Sequence, residues 1–545
     1  MRLLRWTHWH PFRKALQHPR DTQKRLLLEI LARNRDTRFG REHGFDQVTS
    51  YDDFAQAVPI QDYESLRPFI EEQESKGVTA LNAERPVMYA QTSGTTGKPK
   101  LIPILNDTLA RYKRSQAIHS YTQFSAEPRS YDGKLLFISS PAVEGRLDSG
   151  TPYGSVSGHM IKTLPAPVRG KFLLPEEVFA IEDYDLKYLA ILRLALSHRD
   201  VTSIGTANPS TFLKLHSVLQ DHRSALLEDI EEGTFRYADR LALEVRTAIA
   251  PRLACPRERV EELRRVLGKP ELSFGDLWPD LRLLTTWTGG SCGVALGAVK
   301  KLLPSTTRIA ELGYLSSEFR GTITVDLERN LGAPTIHENF FEFVERDDWD
   351  GGRQEFHLVD TIERAKEYYV VITTGAGLYR YFMNDIVVVT GAFEETPTIQ
   401  FLRKGKGVTN ITGEKLYENQ VVQAVHSTEA ELGTAFAFFL MLADTRESVY
   451  RLIVEWPIPA TISPNRMQES VERILGELNV EYAQKRASGR LLDLELIPVK
   501  PGTGDAYKRD CLQRGQREGQ FKTLVLQYLE DCSFPFRDYR LSEQA

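Results

Sequence analysis

Cysteine is scarce in this sequence, with 4 among 545 residues, at Cys255, Cys292, Cys511 and Cys532. No two of them have the spacing of metal ligands, and so few in so long a chain form no disulfide framework. A basic surplus is also missing, because Lys+Arg total 69 against 74 for Asp+Glu, a formal net charge of −5. Proteins that bind nucleic acid through bulk charge need such a surplus. The charge balance therefore argues against that class.

Long hydrophobic runs are absent as well. The longest apolar run, Ala435 to Ala443, is about half of the ~20 residues that a membrane-spanning helix requires. The basic N-terminal segment contains Trp, His and Pro where a signal peptide would have its apolar core. Hydrophobic residues make up 41% and charged residues 26%, as in globular proteins with large cores. We expect a cytoplasmic, enzyme-sized protein without nucleic-acid or membrane partners, whose oligomeric state the sequence leaves open.

Strand-like runs alternate with helical patterns up to about residue 400. Apolar runs such as Asp200–Ile204 and Leu281–Trp287 lead into turns of small residues and then into helical patterns. This alternation predicts parallel βαβ units in a layered α/β domain. Further on, two strands, one long helix from Asn465 to about Arg486 and a final strand predict a small α+β unit.

The two parts meet at Arg403–Gly407, a segment rich in small and basic residues. Gly405 and Gly407 would tolerate a backbone rotation there, although an ordinary surface turn has the same composition. We expect a large domain over residues 1–402, a hinge over residues 403–407 and a small mobile domain over residues 408–545.

The strongest local signal is a loop of Thr, Ser and Gly that ends in lysine, Thr92–Lys98. Glycines allow backbone N–H groups to face an anion, hydroxyls add donors and lysine adds charge, so the loop suits phosphate. It is not a P-loop, because Gly94 and Gly97 are too close together and Pro99 replaces the magnesium-binding hydroxyl. A solvent-exposed loop shares this composition, but the residue order is more specific.

That order, Thr-Ser-Gly-Thr-Thr-Gly-x-Pro-Lys, resembles the phosphate loop of adenylate-forming enzymes. Further motifs follow at Tyr314–Glu318, Ala376–Asp385, Asn410–Lys415 and Gly519–Lys522. Together they resemble the Gretchen Hagen 3 family of acyl acid–amido synthetases, also called auxin-responsive promoter proteins, over nearly the whole chain. The resemblance implies a large layered α/β N-terminal domain with mostly parallel sheets of the adenylate-forming type, and a small α+β C-terminal domain joined to it by a hinge.

The same resemblance implies a ligase that uses ATP and Mg²⁺. A small carboxylic acid would be converted to acyl-AMP, and the amine of an amino acid or similar acceptor would then displace AMP to form an amide. Two alternatives remain open. An enzyme of this kind can pass the acyl group to a thiol instead, and a protein of this fold can lose its chemistry and serve as a nucleotide-binding scaffold.

The resemblance also assigns residues to the nucleotide. Those expected to bind ATP or AMP are Ser93, Gly94, Thr95, Thr96, Gly97, Lys98, Tyr314, Ser317, Glu318, Asp385 and Arg403. Within this set, Tyr314 would stack near the adenine, Glu318 would bind or orient magnesium, and Asp385 would hold the ribose hydroxyls. Asn384 stands where the family usually has Gly, and both residue types accept left-handed backbone. Without the family, the segment Tyr314–Glu318 reads as an ordinary helix start.

Two lysines and one small-residue turn complete the expected site. Lys522 resembles the C-terminal lysine that stabilises the α-phosphate, and Lys415 resembles a lysine of the small domain that reaches the nucleotide. Taken alone, each would read as a solvated side chain. The turn after the Leu281–Trp287 run predicts an acid-binding pocket made by Trp287, Gly289, Gly290 and Ser291, because ligands bind at the carboxyl edge of parallel sheets. Burial in the core is the alternative for Trp287.

Overall fold

The computed structural model describes residues 1–92, 99–289, 292–405, 407–456, 463–513 and 524–541. The chain divides into two compact units, one of residues 1–91 with 100–402 and one of residues 92–99 with 403–545. Within the described ranges, no helix is both long enough and apolar enough to cross a membrane.

Helices of the first unit surround its sheets. Where a helix is enclosed by the core it is apolar on every side, as in the YLAILRLAL stretch before Ser197, which is almost wholly buried. In chain order the helices are α1 (Arg2–Leu4), α2 (His10–Gln17), α3 (Pro19–Asn34), α4 (Arg38–Glu42), α5 (Tyr51–Ala57), α6 (Tyr63–Lys76), α7 (Asn106–Ala126), α8 (Val156–Lys162), α9 (Ala166–Arg169), α10 (Tyr184–Leu196), α11 (Ser210–Asp221), α12 (Arg223–Glu232), α13 (Leu243–Ile249), α14 (Arg257–Leu267), α15 (Phe274–Leu277), α16 (Cys292–Lys300) and α17 (Arg346–Asp350).

The strands of the first unit form several sheets. They are β1 (Met88–Thr92), β2 (Lys100–Ile104), β3 (Lys134–Phe137), β4 (Gly145–Arg146), β5 (Pro152–Tyr153), β6 (Val201–Gly205), β7 (Leu283–Thr286), β8 (Arg308–Glu311), β9 (Thr322–Asp326), β10 (Leu331–Pro334), β11 (Asn339–Glu345), β12 (Phe356–Leu358), β13 (Glu367–Thr374), β14 (Tyr381–Phe393) and β15 (Thr396–Lys404). The sheet orders are β2-β1-β5-β4, β10-β9, β12-β11-β13-β14-β15 and β3-β6-β7-β8.

The sheet β3-β6-β7-β8 is parallel at every neighbouring pair. Strand β7 is buried along its whole length, as expected of a strand covered by helices on both faces. The predicted βαβ organisation is confirmed here. The register pairs Thr286 with Glu311, so the loops that follow β7 and β8 leave the sheet side by side at its carboxyl edge.

The five-stranded sheet is built differently, because β12, β11, β13 and β14 pair in antiparallel fashion. Aromatic and β-branched residues fill β13, and they are almost all buried. A buried ion pair ties this sheet to the N-terminal helices: Arg380 donates to Glu342 at 2.8 Å and to the carbonyl of Val58 at 2.9 Å. Asp385 lies within β14 and therefore belongs to this sheet.

The second unit is a small α+β domain. Its strands are β16 (Val408–Thr409), β17 (Leu416–Tyr417), β18 (Phe439–Asp444), β19 (Val449–Glu455), β20 (Glu495–Val499) and β21 (Leu526–Tyr528), and its helices are α18 (Glu418–Leu432), α19 (Pro464–Leu478), α20 (Val480–Ala487) and α21 (Thr503–Gln513). The main sheet has the order β20-β19-β18-β21. Helix α19 buries Met467, Val471, Ile474 and Leu475, which share one helical face, in the core of this unit.

The single long helix predicted from Asn465 to about Arg486 is wrong, because the structure divides it at Asn479. Asn479 is extended, and its side-chain oxygen accepts the N–H of Tyr482 as the N-cap of α20. Its side-chain nitrogen donates to the carbonyl of Lys415 at 2.7 Å and to Gln420 at 2.9 Å. These tertiary bonds stabilise the break, and helical periodicity carries no sign of them.

Candidate functional site

Tyr314 and Asp385, two residues predicted to bind the nucleotide, are in direct contact. The Tyr314 hydroxyl donates to Asp385 Oδ2 at 2.6 Å. Both side chains are buried, although 71 residues separate them in sequence. Burial, and after it the neighbouring Asp385 carboxylate, raises the pKa of Tyr314 well above its ordinary value. The phenol therefore stays protonated and keeps donating.

The Tyr314 ring is enclosed by two other aromatic rings. Phe401 stacks on it with ring centroids 5.8 Å apart, and Phe319 meets it edge-on at 5.2 Å. Asn384, beside Asp385, has a φ of 51°. This left-handed conformation is the one expected for the position, where an Asn replaces the family's usual Gly. The left-handed backbone at Asn384, within β14, and the packing of Tyr314 together fix the direction of the Asp385 carboxylate.

The predicted acid-binding residues lie next to this pair. The Trp287 indole N–H donates to the carbonyl of Gly313 at 3.1 Å, immediately before Tyr314. Gly289 passes close to the backbone of β15, since a Cβ on it would lie 3.0 Å from the carbonyl oxygen of Phe401. Only a glycine allows this approach without a shift. The structure therefore brings Trp287, Gly289, Tyr314 and Asp385 into one connected region of the first unit.

Glu311 joins these residues, and the sequence did not single it out. Its Oε2 accepts the N–H of Thr288 at 2.6 Å and the Thr288 hydroxyl, and its Oε1 accepts the N–H of Gly313 at 2.9 Å. Burial raises the pKa of Glu311. The available signal was a glutamate at the end of the β-strand run RIAE, just before Leu-Gly-Tyr. A carboxylate at the carboxyl end of a parallel strand lies at the sheet edge where ligands bind, and it therefore indicates a candidate site residue.

Glu318 lines a small pocket of the first unit, about 20 Å³ in volume. Tyr112 and Arg111 of α7, Arg320 and Glu338 share its lining. Burial lowers the pKa of Arg320 to about 10, still high enough for Arg320 to remain charged at neutral pH. Arginines and other carboxylates therefore share the pocket with Glu318. The backbone N–H of Glu318 donates to the Ser316 hydroxyl at 3.3 Å.

The remaining predicted residues belong to the first unit, to the second unit or to the part of the chain outside the described residues. Ser317 is partly buried beside Glu318. In the second unit, Arg403 forms an ion pair with Asp531. Lys415 also belongs to that unit, where its backbone N–H donates to Glu481 at 3.2 Å. Ser93, Gly94, Thr95, Thr96, Gly97, Lys98, Gly290, Ser291 and Lys522 lie outside the described residues.

The loop that ends in Lys415 is held by the preceding residue, Glu414, which the sequence also did not single out. Glu414 is fully buried. It accepts the N–H groups of Ile411 at 2.7 Å and Thr412 at 2.9 Å, the Thr412 hydroxyl at 2.9 Å and the Tyr450 hydroxyl at 2.8 Å. The loop backbone leading to Lys415 therefore has a defined conformation within the second unit.

Family models match three consecutive parts of the chain. Residues 9–308 match the GH3 family N-terminal domain, residues 333–404 the GH3 family central domain and residues 419–528 the GH3 family C-terminal domain. Among curated proteins, an indole-3-acetic acid-amido synthetase of Arabidopsis thaliana, GH3.4, is 25% identical over 93% of this chain and 89% of its own. GH3.8 of Oryza sativa subsp. indica, an indole-3-acetic acid-amido synthetase, is 26% identical over 92% and 87%.

Solved structures show the same fold. The AtGH3.15 acyl acid amido synthetase in complex with 2,4-DB matches with a TM-score of 0.67 at 21% identity, covering 98% of this chain and 96% of its own. A 2-hydroxyisobutyryl-CoA ligase matches with a TM-score of 0.53 at 13% identity, covering 96% and 93%. The predicted fold class is confirmed by these matches. Since the family models cover well over half of the sequence, the chain belongs to the GH3 family.

Proposed function

We propose that this protein is an ATP-dependent acyl acid–amido synthetase. The observation that carries the proposal is the match to all three domains of the GH3 family, in order, between residues 9 and 528. The curated relatives named above are amido synthetases and align along nearly the whole of both chains. The contact between Tyr314 and Asp385 supports the proposal, because it joins two family motifs in one region of the structure.

The reaction has two halves. In the first, an oxygen of the substrate carboxylate attacks the α-phosphorus of ATP, and the bond to the β-phosphate oxygen breaks to release pyrophosphate. In the second, the nitrogen of an amine attacks the acyl carbonyl carbon, AMP leaves with the electron pair of the broken C–O bond, and the amine loses a proton. Adenylation supplies the leaving group that a carboxylate lacks in water, while binding aligns the reacting atoms.

In this proposal the first unit binds the nucleoside. Asp385 accepts the two ribose hydroxyls, a role that suits a carboxylate whose direction is fixed by Tyr314 and Asn384. The loop over residues 93–98 binds the phosphates, Ser317 faces them, and Arg403 adds a positive charge. Trp287 and Gly289, with Gly290 and Ser291, form the acid pocket at the carboxyl edge of the parallel sheet.

Glu318 is the proposed magnesium ligand. Magnesium prefers oxygen donors and is commonly held by one or two carboxylates together with substrate phosphates and water. Glu318 fits this role as a buried carboxylate, an oxygen donor of the kind that magnesium takes. Bound magnesium would neutralise charge on the phosphates.

Lys415 and Lys522 are the proposed catalytic lysines. The buried Glu414 supports the assignment of Lys415, because it fixes the backbone that leads to this lysine. We also propose that residues 403–407 act as a hinge between domains over residues 1–402 and 408–545. Gly407 has a φ of 73°, a conformation that favours glycine at this point. Closure about such residues is a common way to separate two half-reactions.

Acid-dependent exchange of labelled pyrophosphate into ATP tests the first half-reaction. The protein is given Mg²⁺ and pools of small, aromatic and fatty carboxylic acids. We expect exchange with at least one pool, and Asp385→Asn should reduce it at least about tenfold, since hydrogen bonds to a charged group are worth ~1.5–3 kcal/mol. Asp326→Asn is the matched control, because Asp326 pairs with Arg329 at the end of β9. Absence of both exchange and ATP binding would contradict the proposal.

The acceptor is identified in a second step. With the active acid, amino acids and coenzyme A are each offered in turn, and products are separated by mass. Amide formation at a rate well above thioester formation is the expected result. Thioester formation alone would instead favour a thiol ligase, the alternative that the sequence left open.

A further inference from the structure

Glu311 ends β8 and bonds to two different loops. Its Oε2 accepts from Thr288, which follows β7, and its Oε1 accepts from Gly313, which follows β8. Because β7 and β8 are parallel neighbours, these loops leave the same edge of the sheet. One carboxylate therefore fixes the distance between them.

Each of these loops carries residues of the proposed site. Trp287 and Gly289 flank Thr288 in the loop assigned to the acid, and Tyr314 follows Gly313 in the segment assigned to the nucleotide. The Trp287 indole N–H makes a second link, to the carbonyl of Gly313 at 3.1 Å. Asn330 donates to the Thr288 hydroxyl at 3.1 Å, which holds this hydroxyl in place beside Glu311. Any shift of Glu311 would thus move both loops.

The contacts require both carboxylate oxygens of Glu311 to accept hydrogen bonds. The groups that meet Glu311 are the N–H groups of Thr288, Gly289 and Gly313 and the Thr288 hydroxyl, and all of them donate. A glutamine has the same shape but offers an NH₂ group to one of these loops, where it would face a donor. Burial raises the pKa of Glu311, so keeping the charged form at this place reduces stability. A group retained at such a cost is a candidate for a role in activity.

We propose that Glu311 is the positioning residue that sets the acid loop Trp287–Gly289 and the nucleotide segment Gly313–Tyr314 in register with each other. This inference rests on the proposed function for the identity of the two ligands. In this role Glu311 acts through the backbones of Thr288 and Gly313. Loss of its charge should therefore impair use of the acid and use of ATP together, whereas a residue of one subsite impairs use of one ligand.

Steady-state pyrophosphate exchange by three full-length variants tests this inference. Glu311→Gln removes the charge and one acceptor, and Glu311→Asp keeps the charge on a shorter side chain. Asp276→Asn is the matched control, because Asp276 Oδ2 accepts the N–H and the hydroxyl of one residue, Ser273, as Glu311 Oε2 does from Thr288. Asp276 precedes β7 and is not part of either loop.

We expect Glu311→Gln to lower kcat/KM for the acid and for ATP in parallel, each by about tenfold to a hundredfold, with both KM values raised. Glu311→Asp should recover part of both losses, and Asp276→Asn should leave both KM values unchanged. A merely structural role would lower the folded fraction, and hence the maximal rate, without changing either KM. That result, or a change in one KM alone, would overturn the inference.

Different results would show that the proposed function itself is wrong. If the wild-type protein binds ATP but shows no exchange with any acid, the assigned reaction is wrong, and Glu311 is then judged by ATP affinity alone. An unchanged ATP dissociation constant in Glu311→Gln overturns the inference in that case, and a rise of about tenfold supports it. Absence of ATP binding by the wild-type protein overturns both proposals.

Discussion

Each unit of the protein holds a carboxylate that organises a loop, and the two carboxylates do so differently. Glu414 in the second unit accepts from the N–H groups of Ile411 and Thr412, only three and two residues away. Glu311 in the first unit binds Thr288, 23 residues away and beyond an intervening helix. The backbone contacts of Glu414 therefore close a single loop. The contacts of Glu311 instead join two loops that leave neighbouring strands.

The difference teaches which functional contacts a sequence can reveal. A glutamate that closes its own loop has its backbone partners within a few residues, at a spacing that is visible in the sequence. Glu311 meets Thr288 only because β7 and β8 are paired in the register that sets Thr286 beside Glu311. The long-range contact thus depends on the sheet, and it is the one that joins the two predicted subsites.

The largest effect should come from Glu414→Ala. This change leaves two backbone N–H groups without their acceptor and leaves the buried Tyr450 hydroxyl with Thr409 as its remaining partner. We expect a loss of about 4 kcal/mol in the free energy of unfolding of the second unit, since each unsatisfied buried donor costs ~1–3 kcal/mol. Urea titration followed by hydrogen exchange of peptides from residues 408–456 would measure it. A loss below ~1 kcal/mol would show that water replaces the carboxylate.

Gly313→Ala tests the glycine that Glu311 holds. Gly313 has a φ of 97°, and a Cβ would lie 2.6 Å from the carbonyl oxygen of Thr322. Left-handed strain of ~1–2 kcal/mol and overpacking of ~1–3 kcal/mol together predict a loss of about 3 kcal/mol in the free energy of unfolding of the first unit. Gly352→Ala is the matched control, with a φ of 81° and no atom within 4 Å of the added Cβ.

If the two alanine variants lose equal stability in thermal unfolding, the close approach to Thr322 is unimportant and only the backbone conformation matters. A larger loss for Gly313→Ala would confirm that the segment after β8 is confined by its neighbours as well as by Glu311.

Tyr314→Phe and Tyr450→Phe form a matched pair, because each tyrosine donates to a buried carboxylate, Asp385 or Glu414. For Tyr314→Phe we expect a loss of about 1.5 kcal/mol in the free energy of unfolding. Tyr450→Phe should lose less, since Glu414 keeps its backbone donors. Under the proposed function, only Tyr314→Phe should also raise the KM for ATP. A rise in this KM for both variants would contradict the distinction.

The smallest effect concerns pH. Burial raises the pKa of Glu311, so the folded protein binds this proton more tightly than the unfolded chain does. The resulting stabilisation is complete below the ordinary glutamate pKa and is lost as the pH rises through the folded-state value. Between those values, the free energy of unfolding of the wild type should fall relative to that of Glu311→Gln by ~1 kcal/mol or less. Urea titrations of both proteins across this range measure the difference, and parallel curves would contradict it.

Much of the fold could be predicted from local patterns. The alternation of apolar runs and helical patterns before residue 400 gave the parallel sheet that contains β7 and β8. The antiparallel pairing of β12, β11, β13 and β14 was not anticipated, because these strands are consecutive apolar segments that periodicity does not assign to a sheet. The break at Asn479 was missed for a related reason, since it is stabilised by bonds to Lys415 and Gln420.

Motif order in the sequence by itself determined the family, the α/β class and the residue types on which the proposed chemistry depends, such as Asp385 and Glu318. Tertiary structure alone decided that Tyr314 donates to Asp385 and that Glu311 ties Thr288 to Gly313. The physical reason is the range of the forces involved. Periodicity and turn chemistry act over a few residues, so they can be recognised in the sequence. A hydrogen bond between distant segments exists only after packing and strand register have brought its two atoms together.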